Sequence, residues 1–293
     1  MLSVNIGFNK VNFICLDSTN EGPFISFADS YPLSKIDDLN NFVSDILLKD
    51  KVLLDSIDDN LALSVDTDYL TFNQKFISDE SHLRYSDQLS NSLILKEHYD
   101  SYYYPIGNME NQYLGVHVKK EIKDQIIESF SSIGKINKIG VNLFSAEIGA
   151  SKLFGSSEES RYMVIRFNMN NYIEVLFIDD GLLSSFSKFR FNAKKNKLEN
   201  KFFFGDRQYY LEIENLLFNL FEGSSSQSNF NCKLFVYQTS GKSKIIDSFL
   251  KNNNENIIVM NIFDIVRNND IPNTAITGMP YIECAQIFRG VDA

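Results

Sequence analysis

The sequence predicts an α/β protein built from two similar domains, and the first observation behind this prediction is a repeated hairpin. Residues 2–17, LSVNIGFNKVNFICLD, and residues 162–181, YMVIRFNMNNYIEVLFIDDG, each contain an apolar strand, a turn rich in Gly or Asn, and a returning strand. Alternating β-forming residues around such a turn are typical of β-hairpins. Val4 and Val164 hold matching positions 160 residues apart, just over half of the 293-residue chain. Matching hairpins that open the two halves indicate two related domains.

The second observation is the order of predicted elements after the first hairpin. Residues 23–31 continue the strand pattern, and residues 36–48 carry apolar side chains at helical spacing. Residues 60–76 then alternate like two strands or one bent strand. Three strands, a helix and a strand resemble the opening of a ribonuclease-H-like domain, so we expect this topology in the first half.

The sequence pattern in the middle of the chain predicts further strands and a crossover helix. Residues 99–104 and 112–118 are typical of strands, and residues 119–133 of an amphipathic helix that ends at Gly134. A strand at residues 138–143 then leads into a segment whose small residues favour close packing of two helices.

The second half repeats the pattern after an exposed joint at residues 155–160. After its hairpin come two strands, a helix and a further strand, predicted at residues 184–191, 202–204, 209–221 and 233–237. We therefore expect one domain at residues 1–155 and a second at residues 156–293.

Composition and charge disfavour several classes of function. The chain has 28 Lys and Arg against 38 Asp and Glu, a formal net charge of −10, and lacks the basic stripe typical of nucleic-acid binding. An uninterrupted apolar run of about 18 residues is also missing from the sequence. Its three cysteines are far apart, and we expect reduced thiols. We therefore expect a cytoplasmic protein with no nucleic-acid partner and no direct insertion into a membrane.

The two hairpins resemble those of the actin/Hsp70-like superfamily, in which each half opens with an Asp-x-Gly turn. In that superfamily the glycine lets backbone N–H groups approach a phosphate, and the aspartate holds a metal ion or its water. The first hairpin here keeps Gly7 but has Asn5 in place of the aspartate, and the second has Arg166 and Asn168. The resemblance implies that the fold is kept while the nucleotide chemistry is altered.

The third nucleotide contact of the superfamily is a Gly-Gly turn after a strand in the second half. The matching segment has Tyr237 and Gln238 where these glycines are expected, and their side chains would fill the space of the adenosine. We interpret five residues as vestigial nucleotide clamps: Asn5, Gly7, Arg166, Asn168 and Gly241. The resemblance thus implies no bound cofactor, with ATP and Mg²⁺ as the alternative.

Within this superfamily, the order of elements resembles that of the PilM-type pilus-assembly proteins. Those proteins carry an inserted subdomain between the first strands and the second hairpin, here at about residues 91–145, and a closing helix at the hinge, here at residues 282–290. The implied fold class is α/β, with two ribonuclease-H-like domains of actin-like ATPase fold and an inserted small subdomain.

The resemblance to PilM-type proteins also implies a non-catalytic cytoplasmic scaffold. In those proteins a groove beside the inserted subdomain captures the short cytoplasmic tail of an inner-membrane assembly protein. Residues 99–104 and 119–130 are the corresponding region here, within a wider expected binding region at residues 91–154. Such a protein partner would hold the chain at the inner membrane.

Other interpretations stay open at this point. An actin-like ATPase or sugar-kinase-like enzyme would bind nucleotide in a variant way through Asn5, Gly7 and Lys242, with Arg166 assisting at a phosphate. A filament subunit would instead need complementary exposed surfaces. Gly241-Lys242-Ser243 resembles the end of a P-loop, but Val236 replaces the glycine that such a phosphate cradle requires, and we interpret it as a turn.

Candidates for metal binding or acid–base chemistry are isolated. His82, His98 and His117 do not form the spaced pairs that suit a metal ion on one helical face. Glu147 lies on the predicted crossover helix, near where many superfamily members place the residue that positions an attacking water. Without the clamp aspartates we interpret Glu147 as structural, and we expect neither a catalytic residue nor a metal site.

Overall fold

The computed structural model describes residues 1–19, 22–49, 60–76, 97–107, 110–168, 172–192, 197–222, 232–239, 256–268 and 279–288. These residues form two six-stranded sheets and a smaller three-stranded sheet, with helices packed on them. Within these ranges, no helix combines the length and apolar character needed to cross a membrane.

The first sheet has the strand order β15-β3-β2-β1-β4-β8. Its strands are β1 (Leu2–Ile6), β2 (Lys10–Thr19), β3 (Gly22–Pro32), β4 (Asn60–Val65), β8 (Lys135–Val141) and the short β15 (Arg267–Asn268). Strands β1, β2 and β3 pair antiparallel, whereas β1, β4 and β8 are parallel. In β1, Leu2, Val4 and Ile6 pack into one core, while Ser3 and Asn5 are buried on the opposite face. A polar face on a central strand therefore points between the two halves.

The second sheet has the strand order β12-β11-β10-β9-β13-β14. Its strands are β9 (Arg161–Phe167), β10 (Tyr172–Asp179), β11 (Leu182–Asn192), β12 (Lys197–Gly205), β13 (Lys233–Gln238) and β14 (Ile257–Val259). Strands β9 to β12 pair antiparallel in sequence order, whereas β9, β13 and β14 are parallel.

The two sheets share one topology. Strands β1, β2, β3, β4 and β8 of the first correspond to β9, β10, β11, β13 and β14 of the second, with the same pairing directions. Residues 4–6 and 164–167 thus occupy equivalent central strands in separate sheets, as the repeated hairpin predicts. The protein therefore contains two halves of the same ribonuclease-H-like topology, in agreement with the fold class predicted from the sequence.

Helices and sheets alternate in layers. The helices are α1 (Leu39–Lys49), α2 (Lys120–Ser131), α3 (Asn142–Leu153), α4 (Arg207–Glu222) and the single turn α5 (Ile262–Ile265). Helices α1 and α2 cover the outer face of the first sheet, and α4 covers the outer face of the second. Helix α3 and the C-terminal segment lie between the sheets, where the largest apolar cluster joins both halves. Burial of this shared apolar surface holds the halves together.

A closing helix was expected at residues 282–290, and the described part of this segment is a 3₁₀ helix, Met279–Phe288. Its residues 280–288 are all buried, so it lacks a solvent-facing side. It packs on α3 at the hinge side, where a Cβ on Gly149 would lie 2.4 Å from Cδ1 of Ile282. Runs of 3₁₀ helix this long are uncommon. Hydrogen bonds from Ser3 on β1 and Ser64 on β4 to its carbonyls help to hold it.

The third sheet is formed by β5 (Leu70–Phe76), β7 (Gln112–Lys119) and β6 (Tyr99–Pro105), in that spatial order. The inserted sheet therefore begins earlier in the chain than the expected residues 91–145. The strand expected at residues 138–143 is β8, which pairs with β4 in the first sheet, and α2 packs on α1 of the same half. A local strand pattern shows that a strand forms, but not which neighbour it pairs with. The domain boundary at residue 155 stays a prediction.

Candidate functional site

A network of buried charges lies between the two halves, centred on Arg166. This residue is on the inward face of β9 and is 1% exposed. Its Nη2 lies 2.5 Å from Oδ2 of Asp66, its Nη1 lies 2.7 Å from Oε2 of Glu174, and its Nε lies 2.6 Å from Oε1 of Glu283. Asp66 follows β4, Glu174 is on β10, and Glu283 is in the C-terminal 3₁₀ helix. One guanidinium therefore joins both halves and the C-terminal segment.

The pKa values of these groups reflect their mutual compensation. Burial by itself would raise the pKa of Glu174, but the charges of Arg166 and Lys188 outweigh it and lower that pKa to about 2. Burial also opposes the charge of Arg166, yet the surrounding carboxylates hold its pKa well above the ordinary value. Burial raises the pKa of Glu283, and the charge of Asp66 adds to the rise while Arg166 opposes it. The charged forms of Arg166 and Glu174 are therefore favoured by their neighbours, and removing one of these charges would destabilise the groups around it.

Glu283 is the point at which the predicted clamp positions meet. Asn5 donates from Nδ2 to Oε2 of Glu283 at 2.6 Å. Tyr237 donates from its hydroxyl to Oε1 at 3.1 Å, and Asn142 on α3 donates from Nδ2 to the same oxygen at 3.1 Å. Together with Arg166, four donors from β1, α3, β9 and β13 surround one carboxylate. The structure thus brings Asn5, Arg166 and Tyr237 together, but around a side chain of the protein itself.

Lys188 forms two further ion pairs at the outer end of the network. Lys188 on β11 contacts Glu174 at 2.8 Å and Asp68 at 2.5 Å, and its ammonium lies 4.9 Å from the ring centre of Tyr172. Asn168 lies at the same end, where its Nδ2 is 3.4 Å from Oδ2 of Asp68. Asn168 is therefore near the network but bound to a different carboxylate from Asn5.

The two hairpin turns use their backbone donors internally. The N–H of Gly7 donates to the carbonyl of Lys10 at 2.9 Å, and the N–H of Asn168 donates to the carbonyl of Tyr172 at 2.8 Å. A Cβ on Gly7 would lie 2.9 Å from that Lys10 oxygen, so the glycine is needed for the turn itself. Gly241, the fifth predicted clamp residue, lies outside the described residues, as does Lys242.

The residues present do not fit an ATP–Mg²⁺ complex of the kind that an actin-like fold implies. The two positions that would supply metal-binding carboxylates hold Asn5 and Arg166, and both side chains are hydrogen-bonded to Glu283. A positive Arg166 at such a position would repel Mg²⁺ rather than ligate it. On the adenosine side, the Tyr237 side chain is fully buried.

The other residues considered from the sequence lie apart from this network. Tyr162 donates to Oε1 of Glu147 at 2.7 Å, which gives Glu147 a structural contact on α3. His117 is buried in the inserted sheet, where its Nδ1 is 2.8 Å from Oγ of Ser101, and His98 is exposed. His82 lies outside the described residues. Among the described residues, no group of three or more His, Cys, Asp or Glu side chains could hold a metal ion.

An apolar groove lies beside the inserted sheet and encloses about 70 Å³. One wall is the face of β6 and β7 that carries Tyr102, Tyr104 and Val118, and the other is formed by α2 and β8. Both regions expected from the sequence, residues 99–104 and 119–130, contribute to its lining. The sequence did not indicate β8 as a third component.

The rim of this groove is open and partly apolar. Tyr102 is 47% exposed, and Ile139 on β8 is 37% exposed. Lys123 and Asp100 form an ion pair at 2.5 Å beside Tyr102. Strand β8 is the outermost strand of the first sheet in the part of the chain that the structure describes, and it pairs with β4 on one side. The groove therefore offers aromatic side chains, an ion pair and a strand edge in one place.

Four acidic residues of the central network were not singled out from the sequence: Asp66, Asp68, Glu174 and Glu283. A usable signal exists for Glu174, since it is a charged residue within the otherwise apolar strand YIEVLFID. Glu283 is likewise a charge within the apolar segment MPYIECAQIF. Charged residues are almost never fully buried unless they are paired, so both positions indicate a buried partner without identifying it.

Comparisons with known proteins are consistent with this architecture. No family model matches the sequence, and no curated protein matches it. A chain of the PilM-PilN type IV pilus biogenesis complex superposes with a TM-score of 0.63 at 11% identity, covering 100% of this chain and 98% of that chain.

Two further solved structures superpose less closely. A Bacteroides thetaiotaomicron protein with actin-like ATPase fold and unknown function has a TM-score of 0.45 at 14% identity, covering 88% and 90% of the two chains. The cytoplasmic domain of EpsL, an inner membrane component of the type II secretion system of Vibrio cholerae, has a TM-score of 0.42 at 7% identity, covering 86% and 93%. By its topology and its superposition on the pilus complex chain, the protein has an actin-like ATPase fold similar to that of PilM.

Proposed function

We propose that the protein is a non-catalytic scaffold that binds an extended segment of a partner protein in the groove beside the inserted sheet. The observation that carries this proposal is the groove itself. Tyr102 on β6 and Ile139 on β8 both line its apolar cavity, and β8 is the outermost described strand of the first sheet. Exposed tyrosine and isoleucine at one opening are costly in water and gain from being covered.

The geometry favours a peptide in extended conformation over a folded surface. Among the described strands of the first sheet, β8 is the outermost, and an added strand that pairs with a sheet edge gains affinity that does not depend on sequence. The cavity next to β8 would then take alternate apolar side chains of the added strand. The Lys123–Asp100 pair at the rim would orient charged or polar groups of the same peptide.

The partner that we propose is the cytoplasmic tail of an inner-membrane assembly protein. Support comes from the superposition on a chain of the PilM-PilN type IV pilus biogenesis complex, whose fold this protein shares. A net charge of −10 would be repelled by an acidic lipid surface. We therefore place the protein in the cytoplasm, held beside the inner membrane by its partner and without nucleic acid.

The groove is tested with a matched pair of substitutions. Tyr102→Ser removes an aromatic side chain that is 47% exposed at the groove, and Phe218→Ser removes one that is 43% exposed on α4, on the outer face of the other half. The probes are fluorescein-labelled peptides that cover the cytoplasmic tails of inner-membrane proteins from the same genome, and the readout is fluorescence polarisation. For a peptide that binds the wild type, we expect Tyr102→Ser to weaken binding at least about ten-fold and Phe218→Ser to leave it unchanged. Equal affinities for all three proteins, or equal losses in both variants, would count against the groove.

We also propose that this function needs no bound nucleotide, because the side chains of Asn5 and Arg166, at two of the predicted clamp positions, are engaged with Glu283. Thermal unfolding with and without ATP and Mg²⁺ distinguishes the scaffold from the enzyme alternative. A nucleotide at 100 times its Kd would add about 2.7 kcal/mol of stability, whereas we expect no change in Tm. A rise in Tm that requires both ATP and Mg²⁺ would favour the ATPase or sugar-kinase-like class instead.

A further inference from the structure

The mismatch between the fold and a nucleotide has a specific structural cause in the C-terminal segment. Oε1 of Glu283 accepts from Arg166, Asn142 and Tyr237, and Oε2 accepts from Asn5. Donors on four separate elements converge on a carboxylate that is itself 1% exposed. This is the arrangement of a built anion site: without the carboxylate, Asn5, Asn142 and Tyr237 would each lose this buried acceptor, and Arg166 would keep only Asp66 and Glu174.

The backbone around Glu283 is held in the same manner, by side chains of other elements. Oγ of Ser64 on β4 donates to the carbonyl of Glu283 at 2.7 Å, and Oγ of Ser3 on β1 donates to the carbonyl of Cys284 at 2.8 Å. Nε2 of Gln286 in turn donates to the carbonyl of Leu63 at 2.9 Å. The 3₁₀ segment is thus bound to β1 and β4 by hydrogen bonds, much as a peptide ligand is bound to a protein. These bonds explain how a 3₁₀ helix of this length is held.

We propose that Glu283 is an internal anionic ligand, whose carboxylate fills a site formed by Asn5, Asn142, Arg166 and Tyr237 between the two halves. The C-terminal segment delivers this carboxylate and thereby fixes the two sheets relative to each other. Three of the four donors stand at positions where the superfamily places its nucleotide contacts, so a part of the protein's own chain replaces an external ligand. The side chains that surround the Glu283 carboxylate are not among those that line the groove beside the inserted sheet.

The proposal predicts that the site can be emptied and refilled. Glu283→Ala removes a CH₂–COO⁻ unit, which has the size and charge of acetate. Breaking a buried, compensated charge cluster in this way should lower Tm by about 10 °C. Sodium acetate at about 100 mM should then recover about half of that loss, with a saturating dose dependence, because a ligand that binds the folded state raises its stability.

The controls separate specific refilling from a general salt effect. Sodium chloride at equal ionic strength should not restore the Tm of Glu283→Ala, and acetate should not raise the Tm of the wild type or of Glu199→Ala, a partly exposed glutamate on β12. Glu283→Gln keeps the side-chain volume, so it should be destabilised but unresponsive to acetate. Equal effects of acetate and chloride on Glu283→Ala, or an equal acetate effect on Glu199→Ala, would overturn the proposal.

If Glu283→Ala is recovered only in unfolded form, refolding from urea gives the same readout. We expect a larger folded fraction, measured by near-UV circular dichroism, in acetate than in chloride. The same folded fraction in both salts would overturn the proposal.

Discussion

Replacing Arg166 with methionine should destabilise the protein more than any other single substitution in the central network. The variant removes the one group that contacts Asp66, Glu174 and Glu283 together, and leaves three buried carboxylates without it. Removing one partner of a buried ion pair costs about 3–5 kcal/mol, and three carboxylates share the loss here. We therefore expect a fall in the free energy of unfolding of at least about 4 kcal/mol by urea denaturation.

The matched control is Arg190→Met on β11, since Arg190 is exposed and its guanidinium lies 6.0 Å from the Tyr172 ring centre. This change should cost less than about 1 kcal/mol. Adding Glu174→Gln and Glu283→Gln to Arg166→Met should recover part of the loss, because the repelling charges are then gone. Similar losses in Arg166→Met and Arg190→Met would show that the buried cluster is not what joins the halves.

The architecture of the two halves could be predicted from sequence because its signals are local. The hairpins are marked by alternating apolar residues and by Gly7 at a turn where a Cβ would meet the Lys10 carbonyl. Helix α1 was expected at residues 36–48 and is found at Leu39–Lys49 after a short 3₁₀ turn. Each of these signals lies within about fifteen residues of the structure that it specifies.

The central network could not be predicted because its geometry is set by pairings between distant residues. Asn5 and Glu283 are 278 positions apart, and Arg166 and Asp66 are 100 positions apart. The sequence identified Asn5 and Arg166 as substituted clamp residues, but nothing local shows that the side chain that meets both of them belongs to the C-terminal segment. Replacement of an aspartate by Arg166 is consistent with a nearby cluster of carboxylates, and together with the charge of Glu283 within an apolar segment it is a signal of this contact.

The 3₁₀ geometry of the C-terminal segment, which was expected as a closing helix, could not be predicted for a related reason. Apolar residues in the segment recur often enough to suggest one helical face, yet Glu283 and Gln286 are buried as well. The hydroxyls of Ser3 and Ser64 donate hydrogen bonds to the carbonyls of Cys284 and Glu283. These two carbonyls therefore have partners on other elements and do not depend on the hydrogen bonds of an α-helix. Tertiary partners therefore override the local periodicity at this position.

Replacing Phe186 with alanine should separate the inserted sheet from the second half. Phe186 on β11 is 1% exposed, and its ring centre lies 4.9 Å from that of Phe72 on β5 and 5.0 Å from that of Phe202 on β12. It also lies 6.4 Å from the ring of Phe144 on α3. Truncation of a buried phenylalanine costs about 3–5 kcal/mol through lost burial and the cavity that remains. We expect a loss of this size by urea denaturation.

The loss should also be localised, because Phe72 holds β5 against the second half through this ring. Hydrogen exchange followed by mass spectrometry should show faster exchange of the amides of β5, β6 and β7 in Phe186→Ala than in the wild type. Phe218→Ala removes the same atoms from a ring that is 43% exposed on α4, and it should cost less than about 1 kcal/mol and leave that exchange unchanged. Because β6 carries Tyr102 and Tyr104 into the groove, faster exchange there should be accompanied by weaker binding of any peptide that the groove takes up. Unchanged exchange of the inserted sheet in Phe186→Ala would mean that contacts other than this aromatic cluster hold it in place.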